Sequence, residues 1–599
     1  MAEPRPPSIR PDERGWRPSR RLVLTLAAAG ATALTGCSNT TTAPRVPAVE
    51  RTHTARPGTL GDALYVAGFQ TSRPRSFNPL GAHPSWPAGP GAMQVLYESL
   101  MRFNLLDGRL EPGLATTLEA PDAATIRVTL QKGVTFSDGK ALTVEDVVNT
   151  FTLAKRHPGV PYADVWRYLT AVEADGDDAV VFELDSDKPN SRMVESLIAG
   201  TPVLPKHVWD AYERSGQLMK TANTEPVGTG PYLLDTFDEN KIVLERNDSY
   251  WGKALRGSLP APARIVHPIF PDAAAGTAAL ERGQVDVSAQ SIPQIWKMWE
   301  NGAPISTWKK KVPYHVPGSI PFLWLNVHRK GLDNVKVRRA LAHCINYAQI
   351  AQTAMSNYSI PAHASAILPS GAEASYYDGN NVKRYGWTYD VGKAVSILED
   401  DLGCEKGTDG IYRLPDGTRL GPWTAITPAG WSDWQAALQI VASSAKVVGI
   451  DVRATSPRVR TVAERMRTGT FSLAGWVAPG VSPASPWSRF HDLLESRGVP
   501  PIGAAARYNF GRFSHPDVPA LLDAVGAAGA DKAKLKELYG GLDAIYMRSV
   551  PAIGLAYRPL EFYEYNAATW TNFPNVSNAY APPQFSGAGT DWLFEIKHV

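Results

Sequence analysis

Residues 321–350 read Pro-Phe-Leu-Trp-Leu-Asn-Val-His-Arg-Lys-Gly-Leu-Asp-Asn-Val-Lys-Val-Arg-Arg-Ala-Leu-Ala-His-Cys-Ile-Asn-Tyr-Ala-Gln-Ile. The compact apolar and aromatic run at 322–327 is of strand type, and Lys330-Gly331 breaks it. Asn334 can then cap a helix whose apolar face is Val337, Leu341, Cys344 and Ala348. A strand, a turn and a helix in this order suit an α/β protein. Nothing in the pattern demands chemistry.

Outward from this stretch, composition bounds the rest. With 599 residues, 44% hydrophobic and 20% charged, the chain reads as an ordinary soluble globule of several domains. The formal charge of +3 is carried by residues 1–36, which hold six Arg against three acids, so the remainder is near neutral. That gives no support to nucleic-acid binding or to a basic membrane-binding patch. Leu22 to Leu34 follow Arg20-Arg21 as an apolar stretch too short to span a bilayer, flanked as an export signal is. The arginine pair suits the twin-arginine route, and ordinary secretory signals carry such pairs too. Leu34-Thr35-Gly36-Cys37 resembles a bacterial lipobox, which would make Cys37 the acylated anchor at the extracytoplasmic face of the membrane. The Ser, Thr, Pro and Ala-rich residues after it read as a disordered tether reaching about 25 Å. Only Cys344 and Cys404 remain, with a disulfide between them left open by spacing, and no ligand pattern for a metal or cofactor appears.

Along the chain, a strand at 63–69 precedes Ser76-Phe77-Asn78-Pro79 and a helix expected from about residue 91. Residues 125–130 alternate at period two, and Phe136-Ser137-Asp138-Gly139 leads to a helix entered through Thr143 with Asp146 three positions on. Gly228-Thr229-Gly230-Pro231-Tyr232 tempts a phosphate-loop reading, but a strand follows it instead of a helix. Asn247-Asp-Ser-Tyr-Trp-Gly252, a helix at 274–284, a crossing strand at 312–316, helices from Tyr389 and Ser432, a buried strand at 471–476, Tyr508-Asn-Phe-Gly-Arg-Phe-Ser-His-Pro-Asp517 and a return crossing at 551–557 complete the order.

These motifs in this order resemble the family 5 extracellular solute-binding proteins, the peptide, nickel and oligosaccharide receptors of bacterial ABC importers. The resemblance implies a two-lobed α/β fold of the periplasmic-binding-protein-like type (type II, cluster C) with an extra small domain in the first lobe. It divides the chain into a signal at 1–36, a tether at 37–59, lobe I at 60–92, 226–318 and 551–599, the small domain at 93–225 and lobe II at 319–550. It implies a monomeric receptor that performs no reaction, has no cofactor, closes on a solute and delivers it to membrane permease subunits. Peptide receptors of the family place an Asp after the aromatic strand end. The corresponding stretch here, 476–487, has no acid, and a buried ammonium without one would be unpaired.

Many of the 17 Trp fall near loop or helix ends of the second lobe, and flat indoles stack well on pyranose faces. For any one Trp, core packing is the competing reading. The residues 570–583 also look like the C-terminal loop of the family's cello-oligosaccharide receptors. The candidate ligand contacts are therefore Phe77, Asn78, Trp431, Trp434, Trp476, Trp487, Trp570, Asn572 and Tyr580. The favoured solute is a β-linked oligosaccharide, with an oligopeptide as the first rival. A secreted glycoside hydrolase is the remote one, since no pair of carboxylates is singled out by the sequence.

Overall fold

The structure, a computed structural model, describes residues 62–89 and 94–599; the export signal, Cys37 and the tether lie outside the described residues. Three larger sheets organise it. The first has seven strands in the order Ile305–Ser306, Glu564–Asn566, Val287–Ser288, Ala63–Ala67, Arg264–Pro268, Lys241–Arg246 and Tyr232–Phe237. Its central strand, Ala63–Ala67, runs parallel to both neighbours. The second has five, in the order Val452–Thr455, Trp423–Ile426, Leu473–Trp476, Phe322–Leu325 and Ala552–Gly554. Phe322–Leu325 is flanked on both edges and buried at all four positions, which accounts for its unbroken apolar sequence. The third, a four-stranded antiparallel sheet, comprises Ala115–Asp122, Thr125–Leu130, Ala179–Leu184 and Leu169–Asp175. It packs on the helix Val144–Arg156, where the Asp146 carboxylate accepts the Thr143 N–H at 2.9 Å.

Two antiparallel segments join the first sheet to the second. Gly318 and Ser319 both donate backbone N–H to Arg558 O at 2.9 Å, Arg558 N–H returns to Ser319 O, and Leu555 N–H donates to Pro321 O. The crossings therefore touch along their length.

Several expectations need correction. Residues 312–316 form no strand; Pro313 cannot donate to a ladder. Residues 552–554 pair with Phe322–Leu325 at the edge of the second sheet. Residues 94–100 are turn and bend instead of helix, because the backbone there is committed elsewhere: Leu96 O accepts Gly230 N–H at 3.1 Å and Val95 O accepts Tyr232 N–H at 2.9 Å. Cys344 and Cys404, whose pairing the spacing left open, are free buried thiols.

That pairing explains the two glycines of the Gly-Thr-Gly motif. A Cβ at Gly228 would lie 2.1 Å from Leu96 O, and one at Gly230 would lie 2.2 Å from Val95 O. Both atoms are backbone and cannot swing away. Gly228→Ala is therefore expected to lower unfolding free energy by about 1–3 kcal/mol in a urea titration. A variant as stable as the parent would show that the two segments are not held in contact. The nearby Tyr-Trp pair has a similar structural use: Tyr250 O–H and Trp251 Nε1–H donate to the two oxygens of buried Glu98, at 2.7 and 2.9 Å. Burial holds the Glu98 carboxyl above the usual carboxylate range, against those hydrogen bonds.

Candidate functional site

The two parallel strands Trp423–Ile426 and Leu473–Trp476 end side by side, and ligands of open α/β sheets bind beyond such carboxyl ends. Trp476 is the last residue of its strand and Trp431 lies on the turn that follows Ile426; their rings stack at 5.2 Å with 20° between planes, and both side chains are half-buried. Trp434, one turn into the helix Ser432–Val448, is buried behind Trp431 at 5.7 Å. The acid of this helix start is already used: Arg558 Nε donates to Asp433 Oδ2 at 3.0 Å, tying the helix to the crossing.

Beyond Trp476 the loop 477–486 runs against the crossings. Val481 N–H donates to Gly318 O at 2.7 Å, and Arg489 Nε donates to Pro479 O at 3.0 Å. Gly480 fits because a Cβ there would stand 2.7 Å from Leu560 Cδ1. Next to this loop is a cavity of about 170 Å³. Its walls come from stretches far apart in the chain: Val481, Ser482 and Pro483; Ser196, Ala199, Gly200 and Pro202; and Pro87, Ala88 and Gly89 with Gln584, Ser586 and Gly587. None of the described lining residues carries a charge.

Its polar groups are neutral. Gln584 Nε2 donates to Ser586 O at 2.9 Å, while Gln584 Oε1 is buried with no hydrogen-bond partner. Ser99 Oγ donates to Met101 O at 2.6 Å, and Gln94 reaches across to Ala199 O at 3.4 Å. Just outside the wall, Glu561 accepts from Phe585 N–H at 2.6 Å and from the Ser586 hydroxyl. Burial raises its pKa, opposed by those two bonds. A wall whose described residues carry no charge suits a neutral ligand, since a buried ligand charge would have no partner there.

Only part of the expected set comes together here. Trp431 and Trp476 keep partly open faces. Phe77 is fully buried, edge-on to Phe237, and every polar atom of the Asn78 side chain is used by Leu218 O, Thr221 O and Leu80 N–H. Trp487 donates Nε1–H to Leu522 O and stacks on His491; Trp570 donates to Ala63 O and is 2% exposed. Asn572 donates to Glu595 O, and Tyr580 O–H donates to Asn572 O, so the 570–583 loop braces itself and the C-terminus. In this structure these side chains, with buried Trp434, pack in the core or brace neighbouring segments. Gln584 and Ser586, which line the cavity, lie immediately after the loop that drew attention in the sequence. Their signal was weak because a lone Gln and Ser in a Pro-rich coil have no diagnostic spacing.

Two α/β lobes with a shared cavity beside paired crossings define a two-lobed binding protein. Residues 109–498 match the family described as bacterial extracellular solute-binding proteins, family 5 Middle, and the chain belongs to that family. Among curated proteins it is similar to the dipeptide-binding protein of Escherichia coli K12, at 28% identity over 56% of this chain. That match spans 62% of the E. coli protein, less than two thirds of its length. It is also similar to protein XP55 of Streptomyces lividans, at 25% identity over 70% of this chain and 71% of that one. Among solved structures, an oligopeptide ABC transporter periplasmic oligopeptide-binding protein from Thermotoga maritima has a TM-score of 0.84 and 30% identity, covering 90% of this chain and all of that one. Its mannohexaose-bound form has a TM-score of 0.78 over 90% of this chain and 99% of that one. Among the described residues no helix is long and apolar enough to cross a membrane, and no group of three or more potential metal ligands occurs.

Proposed function

We propose that this chain is the solute receptor of an ABC importer, exported and held to the membrane through Cys37, and that it takes a neutral oligosaccharide of the β-linked kind. The observation carrying this reading is the cavity, whose described lining residues include no charged side chain. A sugar supplies hydroxyl donors without bringing a charge that needs a partner. The Trp431 and Trp476 indoles add flat apolar surface of the kind pyranose faces cover, and a Thermotoga relative of the same architecture holds mannohexaose.

An oligopeptide is the second reading, supported by the names of the E. coli and Thermotoga relatives. A free peptide brings an ammonium and a carboxylate, and Asp433, the acid beside the tryptophans, is already neutralised by Arg558. Thermal-shift titration separates the two. At 100 times its dissociation constant a ligand adds about 2.7 kcal/mol of stability. A shift with mannohexaose or cello-oligosaccharides and none with di- to pentapeptides is expected; the reverse pattern overturns the sugar reading. Trp476→Ala is expected to weaken sugar binding by about 1 kcal/mol with the fold retained. Unchanged affinity would remove Trp476 from the site.

A further inference from the structure

The small-domain helix Ser191–Gly200 makes two contacts that belong together. Its carboxyl-terminal half, with Ser196, Ala199 and Gly200, lines the inter-lobe cavity. Its capping end, Pro189 and Asn190, sits on the second-lobe helix Val518–Ala527 at Gly526. A Cβ built on Gly526 would stand 2.6 Å from Pro189 O and 3.6 Å from Asn190 Cβ. Nothing in the second-lobe helix itself calls for glycine at this position: Gly526 is not among the glycines of positive φ, and alanine is the better helix former. The close approach of a backbone from another part of the fold does call for it. Around this point Arg192 donates to Gly529 O at 3.3 Å, Arg507 pairs with Asp164 at 2.5 Å, and the Tyr168 ring meets Trp487 edge-on at 5.9 Å.

We propose that Gly526 is a positioning residue for the solute site, the bare seat on which the small domain lands when the lobes close. Landing there sets the distance between the cavity-facing end of Ser191–Gly200 and the loop residues Val481 to Pro483. The proposal rests on the reading of the cavity as the solute site. A side chain at 526 props the capping end of the small-domain helix away from the second lobe and leaves the cavity open on that side.

The test uses the full chain with Cys37→Ser and nitroxide labels at Lys188→Cys and Lys532→Cys, both exposed, while native Cys344 and Cys404 are buried. Pulsed dipolar distances are measured with and without mannohexaose. The parent is expected to show a short-distance population in at least one condition, and Gly526→Ala and Gly526→Leu are expected to lose most of it in both. The melting temperature of the Ala variant is expected to equal or exceed the parent's. Gly541→Ala, whose Cβ would meet only the Leu521 side chain at 3.7 Å, is expected to behave as the parent. A short population retained in both Gly526 variants overturns the proposal, as does its absence from the parent in both conditions. Where mannohexaose binds, the Gly526 variants should hold it at least about tenfold more weakly, a difference of about 1.4 kcal/mol. Should the variants lose the short population while mannohexaose changes nothing in the parent, the positioning role stands and the sugar reading falls.

Discussion

Arg489→Met is expected to lower the unfolding free energy by about 3–5 kcal/mol, the cost of stranding one partner of a buried ion pair. Arg489 and Glu373 are 0% and 1% exposed in their side chains. The guanidinium makes a fork to both carboxylate oxygens, at 2.8 and 2.9 Å, and uses its remaining reach on Ala366 O and Pro479 O. Glu373 also accepts Leu368 N–H at 2.9 Å. Without Arg489 the carboxylate stays buried with a single backbone donor. Lysine, a point charge without the planar fork, should recover only part of the loss. The double variant Arg489→Met with Glu373→Met is expected to be less damaged than the two single losses combined, because no lone charge is left. Urea titrations of the four proteins measure this; a single-variant loss below about 1 kcal/mol would contradict the burial and pairing described. The same change frees Pro479, so the cavity loop should lose protection from hydrogen exchange ahead of the strand Phe322–Leu325.

The second large effect is pH-dependent. Asp543 is 1% exposed, and burial pushes its pKa up to about 7, against the Ser365 hydroxyl at 2.7 Å, the Ala366 N–H at 2.9 Å and the Arg489 charge, which favour ionisation, while Asp378 adds to the rise. An unfolded Asp titrates near 3.9. Between about pH 4 and 7 the folded chain therefore holds the extra proton, and stability is lost as pH rises through that window. Raising pH from 5 to 7 is expected to cost the parent about 2–3 kcal/mol relative to Asp543→Asn, with no further divergence above pH 8. The comparison with the variant matters because buried His267 and His315, held down to about 4 by desolvation, act in the opposite sense. Their contribution is present above about pH 6.5 and is lost as pH falls towards 4. Parallel parent and Asn curves across pH 5–7 would show that Asp543 is ionised in the folded state. Because Ala366 joins Asp543 to Arg489 through its N–H and its carbonyl, the two substitutions should not be additive.

Local chemistry was legible where neighbours in sequence are neighbours in space. The Thr143 and Asp146 helix entry, the Asn334 cap and the left-handed Gly449 that closes the helix Ser432–Val448 all follow from backbone groups a few residues apart. The strand at 322–325 was legible from its uninterrupted apolar run. Where the local pattern failed, a distant segment had prevailed. Residues 94–96 carry apolar residues but give their carbonyls to the Gly-Thr-Gly-Pro-Tyr segment. Trp570 and Trp487 sit in loop-like sequence, yet Ala63 and Leu522, far away in the chain, take up their indole N–H groups.

By itself the sequence determined the α/β class, the succession of strands and helices and, through its ordered motifs, the family, because periodicity and capping are short-range consequences of backbone geometry. The tertiary structure alone decided which tryptophans keep an open face, that the described residues of the cavity wall carry no charge, and that Gly526 meets Pro189. Those are properties of surfaces brought together from three parts of the chain. Burial and close approach arise only when distant segments pack, and no spacing within one segment encodes them.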